Sequence, residues 1–144
     1  MIVWRIANAK YAAIDGLGGL TVPGRWHHSG RPITYTADSA ALAMLEVRVH
    51  LDLTAVQLTR FVVLKIEIPD IVSVQYSNAD PHNELVARQT GDQWLADRET
   101  AVMCVHSALA PEGANYLINP LHPDAGQISI AVQTPFAFDA RLFR

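Results

Sequence analysis

The segment Phe61 to Ile68 places the strongest constraint on the fold. Val62, Leu64, Ile66 and Ile68 alternate with Lys65 and Glu67, so an extended strand here carries one wholly apolar face. Phe61 and Val63 make the start of its other face apolar as well. Further strand signals recur at Ile2 to Ile6, Ile33 to Thr36, Ala101 to Val105 and Ile128 to Val132. Two helices are expected. One runs from about Ser39 to Leu51, with Asp38 or Ser39 as N-cap, and the other from about Asn83 to Asp97. Pro69, Pro81, Pro111, Pro120, Pro123 and Pro135 punctuate the remainder. Residues 111–126 are rich in turn formers yet contain Tyr116-Leu117-Ile118, and read as a structured loop or short strand. Strands outnumber helices without alternating regularly with them. That pattern predicts an α+β domain rather than a doubly wound parallel sheet.

The chain has 144 residues, half of them hydrophobic, which suits one domain spanning 1–144 with a packed core. It shows no internal repeat, low-complexity tract or linker. The single cysteine, Cys104, cannot form an internal disulfide, as expected in a reducing compartment. Cys104 lies in the apolar run Ala101 to Val105, where a small buried hydrophobe is one reading and a catalytic thiol the other. The start Met1-Ile2-Val3-Trp4-Arg5 lacks the pattern of a signal peptide, and no window approaches the ~18 apolar residues of a membrane span. The expectation is a soluble, cytoplasmic protein with no membrane partner.

A net charge of −3 argues against direct nucleic-acid binding. The charge is uneven. Residues 1–36 carry Arg5, Lys10, Arg25 and Arg31 against Asp15 alone. This suits a small anionic ligand, and equally suits scattered surface charge.

Three segments can carry chemistry. The first is Gly18-Gly19-Leu20-Thr21-Val22-Pro23-Gly24-Arg25-Trp26-His27-His28-Ser29-Gly30. Its glycines let a ligand approach the backbone, and Arg25 can offer a planar fork to phosphate. Trp26 can pack beside it or anchor the loop. No Walker lysine and no G-x-G-x-x-G after a strand is present, and an ordinary surface turn is the alternative. The second is Tyr35, in Pro32-Ile33-Thr34-Tyr35-Thr36, which can stack on a flat heterocycle or serve the core. The third is Glu46, the only acid in Ala40 to Leu51. Leu42, Glu46 and Val49 share a helix side that Leu45 helps make largely apolar. A carboxylate there is buried at a cost, placed for work, or paired with Arg5 or Arg48.

Gly-x-Arg-Trp, Ile-Thr-Tyr-Thr and Ala-Leu-Ala-Met-Leu-Glu-Val, in this order and spacing, resemble the RES domain. Thr90-Gly91-Asp92-Gln93-Trp94-Leu95 is similar to the family's segment near the end of its second helix. Val105-His106-Ser107-Ala108 resembles its serine segment, and Asn115-Tyr116-Leu117-Ile118-Asn119-Pro120-Leu121-His122-Pro123 its Asn-Pro-x-His loop. Phe136-Ala137-Phe138-Asp139-Ala140-Arg141-Leu142 resembles its terminal Phe-x-Phe-Asp-x-Arg-Leu. The resemblance covers nearly the whole chain. The family's usual Arg-Trp-Asn is Arg25-Trp26-His27 here, and its Val-Pro-Ser is Val105-His106-Ser107.

This resemblance implies the toxin of a two-gene operon, paired with an Xre-type helix-turn-helix antitoxin. DNA would be met only through that antitoxin. It implies a fold similar to ADP-ribosyltransferase toxins: a split, twisted, mixed β-sheet with flanking helices around an NAD cleft. The implied activity is NAD breakdown, with NAD as substrate rather than cofactor. The family's Arg, Tyr and Glu fall on Arg25, Tyr35 and Glu46. Arg25 would bind the pyrophosphate, and Tyr35 would stack on nicotinamide or shape its slot. Glu46 would stabilise the oxocarbenium-like ribose or orient the acceptor. Trp26, His27, Ser107 and Asn119 are further candidates for the cleft, Asn119 also being a natural turn residue before Pro120. The six histidines show no i, i+4 helical pair and there is no Cys-x-x-Cys, so no metal site is expected. The acceptor of the ribosyl group stays open between water, phosphate and protein. A non-catalytic binding module of the same fold is a third reading.

Overall fold

In a computed structural model describing residues 1–144, the apolar segment forms β3, Phe61–Glu67. It lies between β1, Ile2–Asn8, and β7, Ser129–Phe136, both antiparallel to it. Its register with β7 shifts between Lys65 and Ile66. The other strands are β2, Thr34–Ala37; β4, Val74–Tyr76; β5, Val102–His106; and β6, Ala114–Ile118. Together they make one seven-stranded sheet in the order β4-β5-β6-β2-β1-β3-β7. Only β4 and β5 run parallel. The sheet is therefore mixed, in an α+β domain. Its middle is weak: β1 and β2 meet through the single register pair Trp4 and Ala37, which splits the sheet into two halves.

Period-2 alternation then assigns the faces. Val62, Leu64 and Ile66 join Val3, Val102 and Ile118 in one buried cluster on one face. The opposite face holds two clusters. One packs α1, Ala40–Arg48, through Leu42 and Ala43 against Ile6, Ala37 and Phe61. The other packs α3, Glu84–Asp97, through Ala87, Trp94 and Leu95 against Met103, Val105 and Leu117. Between these two clusters, the β2–β6 register puts Tyr35 opposite Leu117 and Ala37 opposite Asn115, all four on the helix-covered face.

Local chemistry explains both helices. Ser39 Oγ accepts the Leu42 N–H at 3.0 Å, and Ala40–Arg48 is rich in strong helix formers. Asn83 Oδ1 caps α3 by accepting the Val86 N–H at 3.2 Å, and α3 ends where Arg98 turns left-handed at φ 53°. The first helix stops at Arg48 rather than Leu51. A short extra helix, α2, Leu53–Leu58, follows it and is capped by Asp52. Strand β4 and helix α2 are absent from the sequence expectations, and β6 is the strand within 111–126. No helix is long and apolar enough to cross a membrane.

Candidate functional site

Arg25 sits in the turn between Gly24 and His27, which form an isolated bridge. Trp26 and His27 are buried, so the residues after Arg25 anchor the turn in the core. Arg25 Nη1 donates to the Pro81 carbonyl at 2.6 Å, and no carboxylate pairs with the guanidinium. Gly24 is required by a close approach: a Cβ there would overlap the phenol of Tyr35.

The Tyr35 hydroxyl is fully engaged. It accepts the Trp26 N–H at 3.2 Å and lies 2.7 Å from His27 Nδ1. His27 Nε2 faces the Gly19 carbonyl at 3.1 Å, and a carbonyl only accepts. Nε2 therefore carries the proton, Nδ1 accepts, and Tyr35 donates to it. Burial pushes the Tyr35 phenol well above its usual range and pulls His27 below its own, so both are neutral near pH 7. A phenol held this way is poorly suited to acid–base work. Its ring remains part of the floor between α1 and α3.

Glu46 rises from α1 on the other side of that floor. It is half-buried and makes no ion pair. Arg5 instead donates to the Ala13 carbonyl at 3.3 Å. Arg48 Nε donates to the Leu142 carbonyl at 2.7 Å, and its guanidinium lies 4.3 Å from the Phe143 ring centroid. The expected apolar side of this helix is only partly apolar cover. Leu42 is buried, but Leu45 is 44% and Val49 53% exposed, so Glu46 borders open space. Burial raises the Glu46 pKa, while the Asn115 amide, His50 and Arg25 act in the opposite direction.

Asn115 is the residue that sequence reading missed. It is buried on the same face as Tyr35, and its amide donates to the Thr36 carbonyl at 3.2 Å. Ser107 lies at the same end of the sheet, where its N–H donates to the Gly113 carbonyl at 2.9 Å. Its Oγ accepts the N–H groups of Leu109 and Ala110, both at 3.0 Å, and keeps its own proton to donate. Asn119 is at the opposite end of β6, about 13 Å from Asn115 at the usual strand rise. Its Nδ2 donates to the Leu95 carbonyl at 3.3 Å and its Oδ1 accepts the Leu121 N–H at 3.1 Å. The structure commits Asn119 to a turn and to α3. Tyr35 and Asn115 share the helix-covered face of the sheet with α1, the helix that carries Glu46, and the Tyr35 hydroxyl holds the loop of Arg25; Ser107 bonds only within its own turn, and Asn119 lies at the far end of β6. No group of three or more His, Cys, Asp or Glu side chains is placed to hold a metal ion.

This cleft sits in a chain with clear relatives. The RES domain family model matches residues 2–139. The chain is 43% identical over 148 residues to "Toxin Res" of Pseudomonas putida KT2440, covering 99% of this chain and 100% of that protein. It is 38% identical over 155 residues to "Prs ADP-ribosylating toxin" of Sphingobium sp. YBL2, covering 98% and 96%. A chain in the crystal structure of the M. tuberculosis MbcT–MbcA toxin–antitoxin complex superposes with a TM-score of 0.77 at 17% identity, covering 94% of this chain and 84% of that one. That last likeness concerns the fold.

Proposed function

The chain belongs to the RES domain family, and from that premise we propose that it is the toxin of a toxin–antitoxin pair that consumes cytoplasmic NAD by cleaving its nicotinamide–ribose bond. The observation that carries this reading is Glu46: a half-buried carboxylate without an ion-pair partner, on the helix that covers the same sheet face as Tyr35, whose hydroxyl holds the Arg25 loop.

Each side chain has a task that its geometry supports. The free N–H groups of Arg25 bind the pyrophosphate by charge-assisted bonds. The Tyr35 ring, fixed through its hydroxyl, walls the slot for the flat nicotinamide. The C1′–N bond breaks with its electron pair leaving on nicotinamide, and C1′ gains positive charge. Glu46 stabilises that charge directly or through a ribose hydroxyl, and does so more strongly in a water-poor cleft. Water then attacks C1′ and loses a proton, giving ADP-ribose. Inorganic phosphate as acceptor would give the 1-phosphate ester instead. No step calls on a metal ion.

A protein acceptor is the second reading, favoured by the name of the Sphingobium relative. We further assign to the chain an Xre-type antitoxin that covers the cleft near Arg25 and supplies the DNA binding of the pair. The toxin–antitoxin complex containing the structural neighbour is consistent with such a partner. The test is to incubate the purified toxin with NAD in chelator, with and without phosphate, and identify the products. Nicotinamide with ADP-ribose or its phosphate ester is expected. Intact NAD after incubation with folded protein overturns the proposal.

A further inference from the structure

Three residues of α3 meet the loop that carries Arg25. Arg88, Gly91 and Asp92 are spaced i, i+3 and i+4, and so share one helix face. Arg88 Nε donates to the Gly24 carbonyl at 3.0 Å. Asp92 Oδ1 accepts the His28 backbone N–H at 2.9 Å, and Asp92 Oδ2 lies 2.6 Å from His28 Nδ1. Gly91 lies so flat against the loop that a Cβ would overlap the Trp26 carbonyl. A glycine inside a helix is destabilising relative to alanine, so this close approach gives it a reason to be there. The loop is thus gripped one residue before Arg25 and three residues after it. Trp26 between the grips packs with Ala87, Trp94 and Leu95 of the same helix. The Arg25 guanidinium itself leans on the Pro81 carbonyl, just ahead of α3.

We propose that Arg88, Gly91 and Asp92 form a clamp that presets the Arg25 loop for its anionic substrate, with Asp92 as the main positioning residue. This rests on the reading of Arg25 as the pyrophosphate-binding group. Ordering a free loop costs conformational entropy, and a loop held before the ligand arrives avoids that cost at binding. Asp92 is also a negative charge close to a site for an anion, which opposes substrate binding. Tethering and charge therefore act on affinity with opposite signs, and two substitutions separate them. Asp92→Asn keeps an oxygen for the His28 N–H and an amide for Nδ1 while removing the charge. Asp92→Ala removes the tether as well. Glu46, on α1, is untouched by either.

The experiment measures KM and kcat for NAD, together with amide exchange of residues 24–28 in the ligand-free protein. Asp92→Ala is expected to raise KM about tenfold with kcat within about twofold, because binding is lost equally in ground and transition states. It should also speed exchange of the loop amides. Asp92→Asn should keep slow exchange, with KM at or below the wild-type value. His28, with its side chain 61% exposed, provides a variant that spares the core. His28→Ala should raise KM less than Asp92→Ala, because the backbone N–H bond remains. The clamp is overturned if Asp92→Ala leaves KM unchanged, or if Asp92→Asn is impaired as much as Asp92→Ala. Should the wild type consume no NAD, the functional reading fails by itself. The exchange arm then still decides, since loop amides equally protected in Asp92→Ala and wild type reject the clamp.

Discussion

The Tyr35 hydroxyl donates to His27 Nδ1 across 2.7 Å, and so joins the floor of the cleft to the loop that carries Arg25. The same oxygen accepts the Trp26 N–H, and the far nitrogen of His27 donates to Gly19. One phenol thus holds two consecutive residues beyond Arg25. Tyr35→Phe keeps the ring and strands the Trp26 N–H and the His27 nitrogen. A loss of about 1–3 kcal/mol of stability is expected by denaturant titration. The slot wall survives, so kcat should change less than stability does. A large fall in kcat in a variant of wild-type stability would show that the hydroxyl takes part in the chemistry.

Arg25→Ala should act on binding. One of its N–H groups is held by Pro81, and those left for the pyrophosphate make charge-assisted bonds worth about 1.5–3 kcal/mol. A rise in KM of roughly 10- to 100-fold follows, with kcat nearly kept. Arg25→Lys should recover only part of the loss, because a point charge does not reproduce the fork. Steady-state kinetics of NAD consumption read both, and an unchanged KM in Arg25→Ala would remove Arg25 from the pyrophosphate site.

How far these groups could be read from sequence follows from their local patterns. α3 was legible almost to the residue, because Asn83 is a strong cap and its pattern is long. β3 was legible because Val62, Leu64 and Ile66 alternate along one continuously buried face. β4 is three residues long and held by parallel pairing to β5, which no local pattern records. α2 is capped but has no fully buried residue, and Leu58 is 82% exposed, so no apolar stripe marks it. Arg25, Tyr35 and Glu46 were singled out one by one, yet their convergence depends on which strands pair. Asn115 shows this best. Within a segment that reads as a structured loop or short strand, it gains its place only when the β2–β6 register sets it opposite Ala37 on the helix-covered face. The signal for the clamp was Gly91, an interior helix glycine whose partner, Trp26, is far away in sequence.

Glu46→Gln should lower kcat about 10²- to 10³-fold with little change in KM, because the lost charge matters where positive charge develops. Burial raises the Glu46 pKa, so activity should fall on acidification while ordinary carboxylates are still ionised. The Asn115 amide holds that pKa down against burial, so Asn115→Ala should move the acid limb to higher pH. The residual rate of Glu46→Gln should lack this limb. Profiles of kcat against pH for the three proteins test the set, and a wild-type limb that persists in Glu46→Gln would assign it to another group.

Stability against pH gives a test that needs no substrate. The Glu46 pKa is raised by folding, so the native state binds its proton more tightly than the unfolded chain does. Its ionised form therefore costs stability above the native pKa, and that cost fades as pH falls toward the unfolded value. His27 has the opposite sign. Burial lowers its pKa below the ordinary 6.5, so its neutral form favours folding above that pH. This contribution is lost as pH falls from 6.5 through the native value. Glu46→Gln should then melt a few degrees higher than wild type at pH 7, as removal of a partly desolvated charge allows. The advantage should shrink on acidification, as protonation relieves wild-type Glu46. His27→Asn should flatten the decline of Tm below pH 6.5 that wild type shows. Melting curves of the three proteins across pH 4 to 8, about the span in which carboxyl and imidazole groups titrate, read both slopes. A Glu46→Gln advantage that grows on acidification would mean that the native fold stabilises the Glu46 carboxylate, contrary to its position at the edge of the cleft.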